Sequence, residues 1–410
     1  MNTTTADRFA LPAAAPASAR AVLRLLRALS VGSLDLQLPD GTQMHFGTRS
    51  GDQPRAALRL HDWRACSAAL KSGDIGFAES FIAGHWTTPD LVALLALFIA
   101  NREAVERVIY GSWWGSLAYR IKHLLNRNSR RGAAKNIHAH YDIGNPFYRL
   151  WLDETMNYSS AWFDGDLSRT LAQAQQAKLQ RALSECALQP GQRLLEVGCG
   201  WGAVAEAAAA AGAEVTGVTL SDEQLSYARQ RLQRQGLSER ADLRLQDYRD
   251  IDDAPFDAIV SIEMFEAVGR EYWDSYFKLL KTKLKPGGRA CIQTITIRDD
   301  LFDRYVRSTD FIQQYIFPGG LLPSTPAFVE QARKAGLEVV NQMAFGADYA
   351  ETLRRWRVQF LSQDGAVRKL GFDTRFMRIW EFYLAYCQAA FATGNTDVVQ
   401  FTLRNPEQAG

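Results

Sequence analysis

The sequence predicts an α/β fold: an open, mostly parallel Rossmann-like sheet with helices on both faces, preceded by a smaller N-terminal α+β domain. Three observations predict it. From Gln192 onward, apolar strand-like runs alternate with helix-like ones. The first strand, Leu194-Leu195-Glu196-Val197, runs straight into Gly198-Cys199-Gly200-Trp201-Gly202, and a helix of small residues from Ala203 to Ala211 follows. Ahead of them, the block from about Ala21 to Ile109 mixes short alternating strands with helices and shows no catalytic cluster. At 410 residues the chain is long enough for two domains with real cores.

In chain order, residues 1–20 are rich in Ala and Pro, lack a basic n-region and carry Asp7, so they read as a disordered leader rather than a signal peptide. Within 21–110, Leu34 to Leu38 and Ala57 to Leu60 alternate like strands, with Pro39-Asp40-Gly41 as a turn between them. Asp62 to Lys71 and Thr88 to Ala100 read as helices, the second with Pro89 near its start. Residues 111–135 form a basic aromatic linker: six Lys/Arg, no acid, and Trp113, Trp114 and Tyr119 among them. Such a segment suits a membrane interface with its cations on anionic headgroups, or an interdomain helix with its aromatics packed inward. The catalytic domain spans 136–405, with strands expected near 192–197, 214–219, 241–246, 256–262 and 288–296 and helices near 202–212, 221–235 and 271–283. Beyond Tyr349 the pattern is helix-rich with one late strand, Val398 to Leu403.

Composition narrows the function. Lys and Arg number 47 against 45 Asp and Glu, which gives no argument for a nucleic-acid partner. Five scattered cysteines fit a reducing cytoplasm better than a disulfide framework. The longest apolar run, Leu91 to Ala100, is too short to span a bilayer. A soluble or peripheral cytoplasmic protein is expected. No histidine lies beyond His140 and no Cys-x-x-Cys occurs, which argues against a zinc or other metal site. Proton chemistry in the catalytic domain falls to carboxylates, tyrosines, a lone thiol or something bound.

The glycine spacing departs from the Gly-x-Gly-x-x-Gly that packs pyrophosphate on a helix. It suits S-adenosylmethionine, which has no phosphate, with Glu196 able to accept from a cationic amine or a ribose hydroxyl. The second strand ends Gly217-Val218-Thr219-Leu220-Ser221, and Asp222 belongs to the first turn of the next helix, so Thr219 or Gln224 would meet the ribose. The third ends Gln246-Asp247-Tyr248-Arg249, where a side chain or backbone N–H can meet an adenine edge.

These residues, together with Tyr141-Asp-Ile-Gly-Asn145, Met264-Phe-Glu266, Tyr315-Ile-Phe-Pro-Gly-Gly320, Phe345-Gly-Ala-Asp-Tyr349 and the closing helix around Cys387, resemble the cyclopropane-fatty-acyl-phospholipid synthases and the mycolic acid methyltransferases. The resemblance covers about 136 to 405, and more loosely the N-terminal block. It implies a class I S-adenosylmethionine-dependent methyltransferase fold and transfer of a methylene unit to the cis double bond of an unsaturated phospholipid acyl chain. The cofactor site it implies contains Tyr158, Ser159, Glu196, Gly198, Cys199, Gly200, Trp201, Gly202, Thr219, Leu220, Gln224, Asp247, Tyr248 and Arg249.

A carbocation forms in such a reaction, so aromatic faces, exclusion of water and a nearby base are required. Tyr158, Trp162, Tyr315, Phe317 and Tyr349 are the aromatic candidates. In the synthases the base is a bound bicarbonate held by a Cys, a Glu, a His, an Ile backbone and a Tyr. By motif these map onto Ser160, Glu266, Gln293, Ile295 and Tyr349, with Ala267 where a His often follows the Glu. Ser160 and Gln293 still offer donors to an anion, so either bicarbonate persists in a modified cage or Glu266 takes the proton itself. Cys387 matches a closing-helix cysteine that the family treats as an active-site residue. Ring closure is the default product. The substitutions also resemble the branch that makes methylene or methyl-branched chains, and a small-molecule O- or N-methyltransferase or a lipid-binding protein with a degenerate site are the remaining readings. A homodimer is left open.

Overall fold

The computed structural model describes residues 15–48, 51, 53–103 and 143–407. The first fourteen residues of the expected leader and the whole 111–135 linker lie outside the described residues. The chain divides into two compact units, Met1–Ala118 and Tyr119–Gly410.

In the first unit, α1 (Ala17–Leu26) starts within the stretch expected to be a disordered leader: Ala15, Ala19 and Leu23 are buried, so the chain is already ordered there. A four-stranded sheet follows, in the order β2-β1-β3-β4, from β1 (Ser33–Gln37), β2 (Gln43–Gly47), β3 (Arg55–Leu60) and β4 (Trp86–Thr87). The Pro39-Asp40-Gly41 turn joins β1 to an unforeseen antiparallel β2, and β3 then pairs parallel to β1. Helices α2 (Arg64–Ile82) and α3 (Leu91–Ala100) complete the unit. The α2 helix runs past the expected Lys71 through a kink at Ser72–Gly73, where Gly73 takes φ 58. Asp90 caps α3 by accepting from the Ala93 N–H, 3.0 Å away.

The second unit is built on a seven-stranded sheet in the order β10-β11-β9-β8-β5-β6-β7. Its parallel part comprises β5 (Arg193–Val197), β6 (Glu214–Thr219), β7 (Ala241–Leu245), β8 (Phe256–Ile262) and β9 (Leu284–Ile297). The last strand, β11 (Thr396–Arg404), is antiparallel to both β9 and β10 (Glu338–Ala344). This is the sheet of the class I S-adenosylmethionine-dependent methyltransferases. β10 was not foreseen: it is an edge strand whose residues are exposed or half-buried throughout, so it carries no alternation of apolar and polar residues.

Tyr349 lies on the helix Gly346–Ser362 and Tyr383 and Cys387 on the helix Thr374–Ala392, and five earlier helices flank the sheet and the glycine loop. The five are α4 (Asn145–Tyr148), α5 (Leu171–Glu185), α6 (Ala203–Ala210), α7 (Asp222–Arg234) and α8 (Trp273–Lys283). The two faces of the sheet form two core layers: Leu194, Val215, Val260 and Cys291 pack with α6 on one, and Leu195, Val218, Ile259, Ile292 and Phe401 pack with α8 on the other. The connection after β5 leads to β6 on one side, while β8 returns to its other side. The chain therefore changes direction between β5 and β8, and ligands of open α/β sheets bind at the carboxyl ends of strands at such a point.

Candidate active site

The glycine loop sits at that switch. Gly198, Gly200 and Gly202 all take positive φ (86, 49 and 81). A Cβ on Gly198 would meet the Met264 side chain at 2.8 Å, and one on Gly202 would meet Ala228 Cβ at 2.8 Å, so these two glycines are required by packing. At Gly200 the nearest atom would be Gln224 Nε2 at 4.0 Å. That side of the loop is open for a ligand.

The predicted cofactor residues lie on this loop, at the ends of β5, β6 and β7, and just ahead of α5. Glu196 is buried at the end of β5, and its Oε2 meets no hydrogen-bond partner among the described residues. An orphaned buried carboxylate oxygen fits a donor brought by a ligand, such as an amine or a ribose hydroxyl. Thr219 Oγ1 donates to Gln224 Oε1 over 3.2 Å, and Leu220 follows at the end of β6. The two proposed ribose contacts are thus one unit. Ser221 caps α7 through the Gln224 N–H, with Asp222 in its first turn as expected. Asp247 accepts from Arg249 Nε at 2.8 Å, so they form an ion pair beside the Tyr248 ring. Cys199 is buried, and its N–H donates to Val218 O. Trp201 Nε1 donates to Asn145 Oδ1 at 2.7 Å, tying α4 to the loop. Tyr158 shares a 2.6 Å hydrogen bond with Tyr383 and lies in an aromatic cluster with Tyr148, Trp151, Phe317 and Trp356.

Three of the six predicted catalytic residues, Ser160, Gln293 and Tyr349, converge on a group that the sequence reading did not single out, Glu263. Its Oε1 accepts from the Ser160 N–H at 2.8 Å and from Gln293 Nε2 at 2.7 Å, and its Oε2 accepts from the Tyr349 hydroxyl at 2.7 Å. Two expectations change. Ser160 presents its backbone N–H, because its hydroxyl donates to Ala161 O at 2.9 Å. Tyr349 and Gln293 address Glu263, whereas Glu266 accepts from the Ile295 N–H and leaves Oε2 without a partner among the described residues.

The surroundings hold this arrangement in place. Gln400, paired opposite Gln293 across β11 and β9, donates to Gln293 Oε1 at 2.9 Å, so the Gln293 amide must turn its NH2 toward Glu263. Lys178 on α5 is fully buried and donates to Ser159 Oγ at 2.6 Å. The Ser159 carbonyl accepts from Gln175 Nε2 at 2.8 Å. Ser159 and Ser160 are therefore pinned by α5 from one side.

The electrostatics separate the two carboxyls. Burial raises Glu263, opposed by the Lys178 ammonium and by the donors on its oxygens. Burial, reinforced by the negative charge of Glu263, pushes Glu266 up to about 8. With three donors and a nearby cation, Glu263 is the one of the pair that ionises first. Burial pulls Lys178 down to about 8, against the pull of Glu263, Asp153 and Glu196. Burial also lifts the Cys387 thiol far above its ordinary range, which leaves no thiolate at neutral pH. Nothing among the described residues around it makes Cys387 a nucleophile.

Lys178, Glu263 and Gln400 are the site residues that sequence reasoning missed. Glu263 had a signal: an acid directly after a buried strand, one residue ahead of the Met264-Phe265-Glu266 motif. Lys178 and Gln400 had none, because each looks like an ordinary surface residue of a helix or strand.

Residues 128–401 match the model of the mycolic acid cyclopropane synthetase family. The chain belongs to that family. It is 39% identical over 399 residues to the tuberculostearic acid methyltransferase of Mycobacterium tuberculosis, covering 95% of this chain and 92% of that one. It is 35% identical over 345 residues to the cyclopropane-fatty-acyl-phospholipid synthase of Escherichia coli, covering 83% and 86%. Among solved structures, a mycolic acid cyclopropane synthase complexed with SAH and CTAB superposes with a TM-score of 0.61 at 35% identity, over 66% of this chain and 97% of the other. Coclaurine N-methyltransferase, at 19% identity and a TM-score of 0.61, shares the fold alone.

Proposed function

We propose that this protein transfers a methyl group from S-adenosylmethionine to the cis double bond of an unsaturated phospholipid acyl chain and releases a methylene-branched chain or a methyl-branched alkene. The observation that carries this reading is the carboxylate Glu263, held by three donors where the glycine loop of a methyltransferase sheet meets a wall of aromatic rings. S-adenosylmethionine supplies an electrophilic methyl on a positively charged sulfur, which the π electrons of an alkene attack, leaving S-adenosylhomocysteine and a carbocation on the neighbouring carbon. Glu196, the Gly198–Gly202 bend, the Thr219–Gln224 pair and the Asp247–Arg249 pair hold the donor. The faces of Tyr158, Phe317 and Tyr349 stabilise positive charge, and the buried rings around them exclude the water that would quench it.

Two considerations support the branched product. The likeness to the tuberculostearic acid methyltransferase runs through both units of this chain, and the cage lacks the imidazole and thiol of the ring-forming enzymes it resembles. Ring closure is the second reading, favoured by the family match. A conventional O- or N-methyltransferase is the third reading, and it gives the aromatic wall no role in stabilising a carbocation. The enzyme works as a peripheral protein on the cytoplasmic face of the membrane.

The test is incubation with vesicles of cis-unsaturated phospholipid and methyl-labelled S-adenosylmethionine. Label in the acyl chains supports the reading, and its absence there refutes it. NMR of the labelled lipid distinguishes an exocyclic methylene or branch from a cyclopropane, and a cyclopropane refutes the branched product.

A further inference from the structure

We infer that Glu263 is itself the proton acceptor of the reaction, its carboxylate standing in the place of the bound bicarbonate that the family resemblance implies. The inference rests on the proposed acyl methylation and adds to it the identity of the base. A carboxylate and bicarbonate share a planar O–C–O edge that takes N–H and O–H donors along the same directions. Ser160, Gln293 and Tyr349 map onto three of the bicarbonate ligands, and here the donors of all three end on Glu263 oxygens, at 2.8, 2.7 and 2.7 Å. A second anion would find these donors already used and would be repelled by Glu263.

The rest of the cage cannot serve as the base. The Gln293 amide is neutral and locked by Gln400, and the Ser160 hydroxyl is turned to its own chain. Glu266 takes the Ile295 N–H, receives none of the Ser160, Gln293 and Tyr349 donors, and lies within the repulsive field of Glu263. Both residues are half-buried, and Glu266 Oε2 is buried without a partner among the described residues.

Backbone geometry points the same way. Glu263 takes φ 50, a left-handed conformation that costs a residue with a Cβ about 1 kcal/mol or more. Glycine would sit there without strain, so the carboxylate is placed against the preference of its own backbone. In the step itself, the hydrogen on the methylated carbon shifts as hydride to the neighbouring cation. A C–H bond of the new methyl then breaks and its electron pair closes the cation to an exocyclic methylene. Without the shift, loss of the hydrogen on the methylated carbon gives a methyl-branched alkene. The proton passes to a Glu263 oxygen, giving a neutral acid and a neutral product, and is returned to water after the product leaves.

The experiment compares wild type, Glu263→Gly and Glu263→Gln in carbon-dioxide-free buffer and in buffer with millimolar bicarbonate. Calorimetry first reads bicarbonate binding by the protein alone: E263G binds it and wild type does not. Binding by wild type overturns the inference, and this arm needs no lipid substrate. On unsaturated phospholipid vesicles, wild type transfers label equally with and without bicarbonate. E263Q and E263G lose at least 100-fold in carbon-dioxide-free buffer while binding S-adenosylmethionine as wild type does, and bicarbonate restores E263G at least 10-fold. A wild type that needs bicarbonate, an active E263Q, or an E263G that bicarbonate does not rescue overturns the inference. Failure of wild type to label any acyl chain refutes the proposed function instead, leaving the calorimetric result to judge Glu263.

Discussion

The Tyr349 hydroxyl donates to Glu263 Oε2 at 2.7 Å, deep among aromatic side chains. Hydrogen bonds from a buried donor to a charged group are worth about 1.5–3 kcal/mol. Tyr349→Phe is therefore expected to slow methyl transfer about 10- to 100-fold with unchanged S-adenosylmethionine affinity, read by steady-state rates and calorimetry. Glu266 gives a second prediction at this scale. Its carboxyl is pushed from 4.5 to about 8, so the folded chain keeps a proton that the unfolded chain has shed across that interval. The Glu266 contribution to stability is then fully present below pH 4.5 and is lost as pH rises toward 8, by at most about 1.4 kcal/mol per pH unit for one such group. Glu196 and Glu263, also raised by burial, act in the same direction, while Lys178 stays charged until about 8 and adds no slope below it. Glu266→Gln should flatten the fall in melting temperature between pH 5.5 and 7.5, and an unchanged slope would show that Glu266 is not held neutral. The sequence made Glu266, Gln293, Ser160 and Tyr349 legible because each sits in a motif. It hid their common partner, because a one-dimensional pattern does not show which of two carboxyls three residues apart collects the donors.

Among the elements, the glycine loop is the best place to separate folding from binding. At Gly202 a Cβ would press on Ala228 at 2.8 Å in a φ 81 conformation. Gly202→Ala is expected to cost about 1–3 kcal/mol of stability, seen as a lower denaturation midpoint. Gly200 meets nothing closer than Gln224 Nε2 at 4.0 Å. Gly200→Ala should thus cost the fold only about 1 kcal/mol but weaken S-adenosylmethionine binding at least 10-fold by calorimetry. Equal binding in the two proteins would remove the loop from the donor site. The parallel strands and their helices were legible to within a few residues, since buried apolar runs bounded by Gly, Ser and Asp are strong signals. β2 and β10 were not. β10 lies half in solvent at a sheet edge and shows no period, and β2 has one buried residue in five.

At the scale of the whole molecule, the formal net charge is only +2, so any attraction to an anionic membrane must come from local clustering. The basic aromatic stretch 111–135 is the place where the sequence concentrates cations. Each basic residue near such a surface contributes about 1 kcal/mol. Replacing Arg127, Arg130 and Arg131 by Gln is therefore expected to weaken binding to anionic vesicles about 100-fold in a sedimentation assay, and the wild-type affinity should fall with added salt. Unchanged binding would assign the membrane contact elsewhere. The central claim, that an acyl alkene is the nucleophile, is tested most directly by one measurement: NMR of phospholipid recovered after reaction of the wild-type enzyme with carbon-13-methyl S-adenosylmethionine and cis-monounsaturated vesicles. The account predicts the labelled carbon as a methylene or methyl branch on a former double-bond carbon. Label confined to a headgroup, or absent from the lipid, would contradict it.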